Sequence, residues 1–586
     1  METIKSSIDI LRGFRYHQGV KIDRKHLPFI GFLILFLGIF FWGLNIGKLG
    51  HDYNYFFPKL LDGNWHFLRQ GFAPFLYTPH YCGGFPEFGN PQSMYYSLLQ
   101  LLSLKLDLWL AMQMMMGIAM LIGYWGWYLF GRDIAKLRWD FAHVFALIVI
   151  AHGFYLMHMM AGHSIYHTMP LIGLLLWLIL ERSKDNWRSL IAKAAAFGFI
   201  TANVIHSGGF MVGVFAACVF VIVLPIELIL HKKVIGNRCR VLFLRITACG
   251  GAALLMNGGK LYAVWSVMRF FPRNLPFNHL AEGSNTLGYM ITALWAFPQS
   301  EGLFTKYGIP DWGAIHEYSM YLSPVVLIGL ICGILLMIKK RKLNIPLTVI
   351  VILIALFFVQ LIRGHGLLVT PLEGLPILKS LRMNTRFLYP FSIILSAAGI
   401  WSLMKTTNRK SIPLVASSLT LVAFLIAYVP TLLDVRPPRS LDYSEVQYHL
   451  EKNKGFLELD INSVIDMRGS GQAEFVPLFA GSNHVYCEEP LLWGDKPVMD
   501  ALEQGDVYLG WNDRLNLYNP ACFAYPEAND CTPGERIKVS DMENFEKFIT
   551  GEKTQWNVPL IQRILNWISV LTLLAAAIIA VPWKRR

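Results

Sequence analysis

Apolar runs of about 18 to 25 residues recur along almost the whole chain, broken by short polar stretches and by three long ones. Runs of that length cross a hydrocarbon core of roughly 30 Å as helices. They lack period-2 alternation, which excludes a membrane barrel as the alternative way to pair every backbone group in lipid. The pattern predicts spans over 28–48, 108–130, 140–160, 167–181, 189–205, 208–230, 244–265, 319–338, 345–362, 387–404, 412–432 and 560–582, about twelve in all.

Basic residues then orient the spans. They gather in every second loop: Arg132, Lys136 and Arg138; Arg182, Lys184 and Arg188; Lys232, Lys233, Arg238 and Arg240; Lys339 to Lys342; Lys405, Arg409 and Lys410; and Lys584 to Arg586. By the positive-inside rule these loops and both termini are expected in the cytoplasm. The first apolar run follows a basic tail, 1–27, and lacks a small-residue cleavage site, so it reads as a retained signal anchor in a cytoplasmic membrane. Composition agrees: of 586 residues, 54% are hydrophobic and 16% charged, with a mean hydropathy of +0.43.

Three segments expected on the outer side are long: 49–107, 266–318 and 434–559. The last carries about twice as many acidic as basic residues, so the net charge of +13 comes from the cytoplasmic face and implies no nucleic-acid partner. Strand-like runs at Ser463 to Asp466, Glu474 to Phe479 and His484 to Cys487 alternate with helix-like stretches at Ser444 to Lys452 and Met542 to Ile549. The expected architecture is an all-α polytopic membrane region, 28–433, a small α/β extracytoplasmic domain, 434–559, and a final span with a basic tail, 560–586. Cys522 and Cys531 can bridge in such a compartment, with Cys487 as a competing partner. The chain has no CxxC pair, HExxH motif or Walker A sequence, so structural zinc, zinc-hydrolase and P-loop ATPase readings have no support. No internal repeat of fixed period is visible, which counts against an inverted-repeat transporter.

Candidate chemistry begins at the mouth of the first span. Asp52, beside His51, is placed to take a proton from a hydroxyl or to hold a divalent cation at the membrane boundary. Its plainer role is a helix-end carboxylate before an amphipathic helix over Tyr53 to Leu61. The loop that follows is rich in aromatics, Gly and Pro, with Asn64, Trp65 and Tyr77 as candidate sugar contacts and Glu87 as a second carboxylate. Asp52, LLDGNW from Leu60 to Trp65, Gly71, Pro74, Pro79, CGGFPEF from Cys82 to Phe88 and Pro91 together resemble the first outer loop of YfhO-like bacterial membrane proteins, of the GT-C class of integral membrane glycosyltransferases. The patch LRMNTRFLYPFSIILSAAGI, Leu381 to Ile400, resembles the Arg-containing entry to a late span in that group.

The resemblance implies transfer of a sugar from a polyprenyl-phosphate donor to an extracytoplasmic acceptor, with Asp52 as base or metal ligand. The doubled acidic pair of some branches is absent, which leaves a divalent cation open as cofactor. A leaving phosphate calls for cations on the outer face. Arg382 with Arg386, and Arg269 with Arg273, offer them at four-residue spacing, and Arg363 with His365 forms a third cluster. Snorkelling to lipid headgroups is the competing role for each. His163 and His167 share that spacing and are read as a weak metal pair or as interfacial anchors; His206, His279, His316 and His365 are given only acceptor contacts. Asn257 and Lys260 mark the seventh span either as functional or as packing between helices. The rival functions are a transporter or lipid flippase, and a non-catalytic envelope assembly protein that presents the C-terminal domain.

Overall fold

The computed structural model describes residues 23–46, 49–182, 186–230, 235–271, 287–296, 302–307, 315–340, 345–364, 366–372, 383–434, 443–452, 460–465, 478–484 and 502–580. Arg273, His279, His365, Arg382 and Cys487 lie outside these residues.

Among the described residues, nine helices are long and apolar enough to cross a membrane: Arg24–Asn45, Leu108–Asp133, Trp139–Ala161, Trp187–His206, Phe210–Leu228, Arg238–Met268, Asn384–Thr406, Ile412–Val429 and Leu560–Ile579. The chain is a helical, polytopic membrane protein. Shorter apolar helices at Ser164–Leu180, Pro324–Lys339 and Ile352–Arg363 fall on three further segments of the apolar pattern. The expected span 244–265 is only the middle of a helix that runs Ile235–Met268. At 1.5 Å per residue this helix is about 50 Å long and outlasts a hydrocarbon core. The apolar window gave the part that lipid requires, not the part that continues into the loop layer.

That extension supports the first loop. Lys260, buried in the long helix, donates to the carbonyls of Phe88 (3.0 Å) and Asn90 (2.8 Å). Further along, Val267 and Phe271 join Tyr81, Cys82 and Phe85 in one buried cluster with Leu502, Tyr518 and Phe523. Asn257 donates to Ala253 of its own helix at 2.8 Å. The polar patch of this span therefore anchors the loop and its own turn. Gly258 and Gly259 face Leu565 and Asn566 of the last helix, the close approach that small residues permit.

Among its described residues, the C-terminal region holds two small sheets. Strand β1 (Ser463–Ile465) lies between β2 (Ser482–His484), parallel to it, and β3 (Gly505–Asp506), antiparallel. Strands β4 (Arg514–Tyr518) and β5 (Arg536–Lys538) form an antiparallel pair. Leu478 and Phe479, expected in a strand, are helical, because the chain turns at Gly481 (φ +64°), whose N–H donates to the Leu478 carbonyl. Val464, Val507, Leu517, Ile537 and Phe545 make a core that also takes in Tyr77 of the first loop.

The two regions interlock. Gly83 N–H donates to Asn483 Oδ1 (2.7 Å), Tyr518 N–H donates to the Gly83 carbonyl (2.6 Å), and Gln70 Nε2 donates to the Gly551 carbonyl (2.9 Å). Cys82 is disulfide-bonded. Cys522 and Cys531, nine residues apart, are bonded to each other. Closing so short a loop restricts the unfolded chain by about 2–3 kcal/mol. Replacing both by Ser is expected to lower the C-terminal region's stability by that amount, read by limited proteolysis across a temperature series; an unchanged cleavage midpoint would contradict it.

Candidate functional site

Asp52 precedes the helix Tyr53–Gln70 but does not cap it: its carboxylate takes no hydrogen bond from the helix's first N–H groups. It turns to two imidazoles instead. Asp52 Oδ1 pairs with His51 Nε2 at 2.7 Å, and Oδ2 pairs with His163 Nε2. The backbone explains the meeting. The helix Gly153–Ala161 ends at Gly162 in the left-handed region (φ +97°), which swings His163 back over the start of the loop. Asp52 N–H donates to the Ala161 carbonyl at 3.0 Å. A Cβ at Gly162 would lie 2.4 Å from Tyr53 N, and one at Gly50 2.2 Å from the Met160 carbonyl oxygen.

Gly162→Ala is therefore expected to cost about 1–3 kcal/mol, from the backbone conformation alone, with the forced separation of the two segments added. Gly213, a helical glycine with nothing near its would-be Cβ, supplies the control: Gly213→Ala should be neutral or stabilising. Chemical denaturation in detergent compares them, and equal behaviour of the two variants would refute the close-approach argument.

A second loop completes the cluster. The short helix Ile315–Tyr318 brings His316 and Glu317, both buried, beside His158 and His163. Ring centroids lie 4.5 Å apart for His163 and His316, 5.3 Å for His158 and His316, and 5.0 Å for His158 and His163. Glu317 is held from the other side by Arg386, which donates from Nε to Oε2 at 2.8 Å and from Nη2 to Oε1. His158 Nε2 stands 3.7 Å from Glu317 Oε2, and His316 Nε2 3.9 Å from Oε1.

The electrostatics follow from burial and this pairing. Burial pushes the His316 imidazole down to about 3, with the Glu317 charge opposing only in part. Burial, then the neighbouring His316, holds His163 well below its ordinary value. For Glu317, burial works against ionisation, yet the Arg386 guanidinium and its hydrogen bonds keep the carboxyl well below the usual range. Burial thus disfavours the charged form of His163 and His316, while Arg386 favours the ionised form of Glu317.

Several expectations need correction. Arg386 is not a free phosphate-binding cation: both ends of its fork are taken by Glu317. Arg269 pairs with Glu527 at 2.7 Å rather than facing a donor. Asn64 and Trp65 do not present a sugar platform, because the helix expected over Tyr53 to Leu61 continues to Gln70 and buries both. Asn64 bonds Gln100 and Ser103, and Trp65 packs edge-on against His80. Tyr77 packs on Trp556 in the C-terminal core. His167 does not join His163 as a metal pair; its Nδ1 bonds the Ser164 carbonyl at 2.6 Å. Glu87 is buried in the one-turn helix Glu87–Gly89 and is not among the residues gathered at Asp52.

Of the candidate site residues, His51, Asp52, His163 and Arg386 do come together. His158 and Glu317 join them without any motif to mark them, and His316 lies at the centre of the cluster rather than at an acceptor contact. Their only local signal was polar side chains at the mouths of apolar runs, and nothing local pairs them with residue 52. No protein-family model, curated protein or solved structure matches the chain.

Proposed function

We propose that the Asp52 cluster is the reaction centre of a membrane glycosyltransferase that moves a sugar from a polyprenyl-phosphate carrier to an extracytoplasmic acceptor. The observation that carries this reading is the orientation of Asp52. Its side chain leaves the helix start uncapped and points into a histidine-rich cluster, where it remains partly accessible, with 17% of the side chain exposed. The reading also rests on the resemblance of the first loop and the Leu381 to Ile400 patch to YfhO-like members of the GT-C class.

In this reading the three shorter apolar helices are spans as well, making twelve. The cluster and the acidic C-terminal region face the outside of a bacterial cytoplasmic membrane, with both termini inside. The reaction is an inverting displacement. The acceptor oxygen bonds to the anomeric carbon as the bond from that carbon to the phosphate oxygen breaks. The phosphate keeps the electron pair, and the acceptor proton passes to the Asp52 carboxylate. His51, bonded to Asp52, fixes the carboxylate's direction. With Arg386 committed to Glu317, the cation for the leaving phosphate is assigned by sequence position to Arg382.

The test is direct. Purified protein in lipid nanodiscs, given radiolabelled polyprenyl-phosphate sugars and a membrane-extract acceptor pool, should release polyprenyl phosphate and label the acceptor fraction. If a panel of such donors remains uncleaved while the protein is folded, the reading fails.

A further inference from the structure

We propose that Asp52, His163 and His316 form a binding site for one divalent transition-metal ion, with Zn2+ as the class of ion it suits. One ligand atom from each of these three side chains lies within 4.8 Å of the others. Two imidazoles with one carboxylate form a mixed nitrogen and oxygen set that suits Zn2+ and its first-row neighbours, whereas Mg2+ and Ca2+ call for oxygen ligands.

The details of the cluster point the same way. His316 is buried, and its Nδ1 has no hydrogen-bond partner, while its Nε2 faces Glu317 at 3.9 Å. One buried ring nitrogen is thus left for a ligand while the other lies on the side of the Glu317 charge. In His163 it is Nε2, at Asp52 Oδ2, that is placed for the ion, and Nδ1 is without a partner. His51 holds the other Asp52 oxygen at 2.7 Å.

An alternative trio, His158, His163 and Glu317, shares His163. Its carboxylate is already bound at both oxygens by Arg386, so the ion falls to the Asp52 set. Arg386 keeps Glu317 in place beside His316. Three protein ligands leave a fourth position open, as in zinc sites that also bind water or a substrate oxygen. The three ligands come from three separate segments, so no spacing rule exposes them.

This inference concerns binding and stands apart from glycosyl transfer, so its test needs no turnover. The full-length protein, purified in detergent and stripped with chelator, is titrated with Co2+ and then Zn2+, following d–d absorption bands and the metal content after gel filtration. Wild type should take up one Co2+ that Zn2+ displaces. Asp52→Asn, His163→Ala and His316→Ala should each weaken binding at least tenfold, whereas His167→Ala, four residues from His163 but outside the trio, should bind as wild type does. His316→Gln keeps a polar side chain at the site and guards against misfolding as the cause; each variant is admitted only if its gel-filtration profile and helical circular dichroism match wild type. Absence of stoichiometric Co2+ or Zn2+ uptake by wild type would overturn the proposal, as would full binding by folded His316→Gln.

Discussion

Asp52→Asn is expected to lower sugar transfer by about 10^2- to 10^4-fold, the usual contribution of a positioned general base, with the protein folded and inserted as before. The structure makes this substitution unusually clean. The side chain contributes no capping hydrogen bond, so the substitution breaks none at the start of the helix Tyr53–Gln70. The amide matches the carboxylate in shape and can still meet His51, but it cannot accept the acceptor's proton. Initial rates with a labelled polyprenyl-phosphate donor, measured at saturating acceptor, should show the loss in kcat. A loss confined to KM would place Asp52 in binding rather than chemistry. Transfer within about twofold of wild type would end the catalytic assignment altogether.

The second large effect is expected at Glu317. Glu317→Gln leaves the Arg386 guanidinium buried without its counter-charge, and breaking such a pair from one side typically costs on the order of 3–5 kcal/mol. Arg386→Gln should be about as damaging, because it strands the buried carboxylate without its cation. The double variant Glu317→Gln with Arg386→Gln should be less destabilised than the sum of the two, since no lone charge remains. Unfolding in mixed micelles gives the three values and their coupling. Additive losses, or single losses below about 1 kcal/mol, would show that the pair is not the cluster's support.

These expectations reverse part of what the chain suggests when read linearly. Arg386 stands out as a cation disfavoured on an outer loop, and a phosphate is its natural partner by chemistry. Its actual partner, Glu317, lies 69 residues away at the mouth of another apolar run. Trp65 and Asn64 look like sugar contacts while their segment is read as a loop. They are interior once the segment is seen to be helical, with Gly63 letting the Gln100 side chain approach closely. The helix was missed past Leu61 because Gly63 and the polar residues Asp62, Asn64 and His66 break its apolar pattern, yet each of the four is buried on the completed helix.

What the sequence determined alone is whatever lipid demands locally. An apolar run of membrane length has to satisfy its own backbone, so it is a helix whatever surrounds it; among the described residues, the nine helices of membrane length and the three shorter apolar ones all lie on runs visible in the chain. The exceptional loop after the first span was visible too, as was the carboxylate at its mouth. Only tertiary structure decided which polar groups share a site. Asp52, His158 with His163, His316 with Glu317, and Arg386 come from four separate segments, joined by the Gly162 turn and the close approach of backbones at Gly50. A lone polar side chain at a membrane boundary is compatible with water, headgroups or a neighbouring helix, and its own sequence neighbours do not choose among them. Packing chooses, by burying some of these groups so deeply that each has to find a partner.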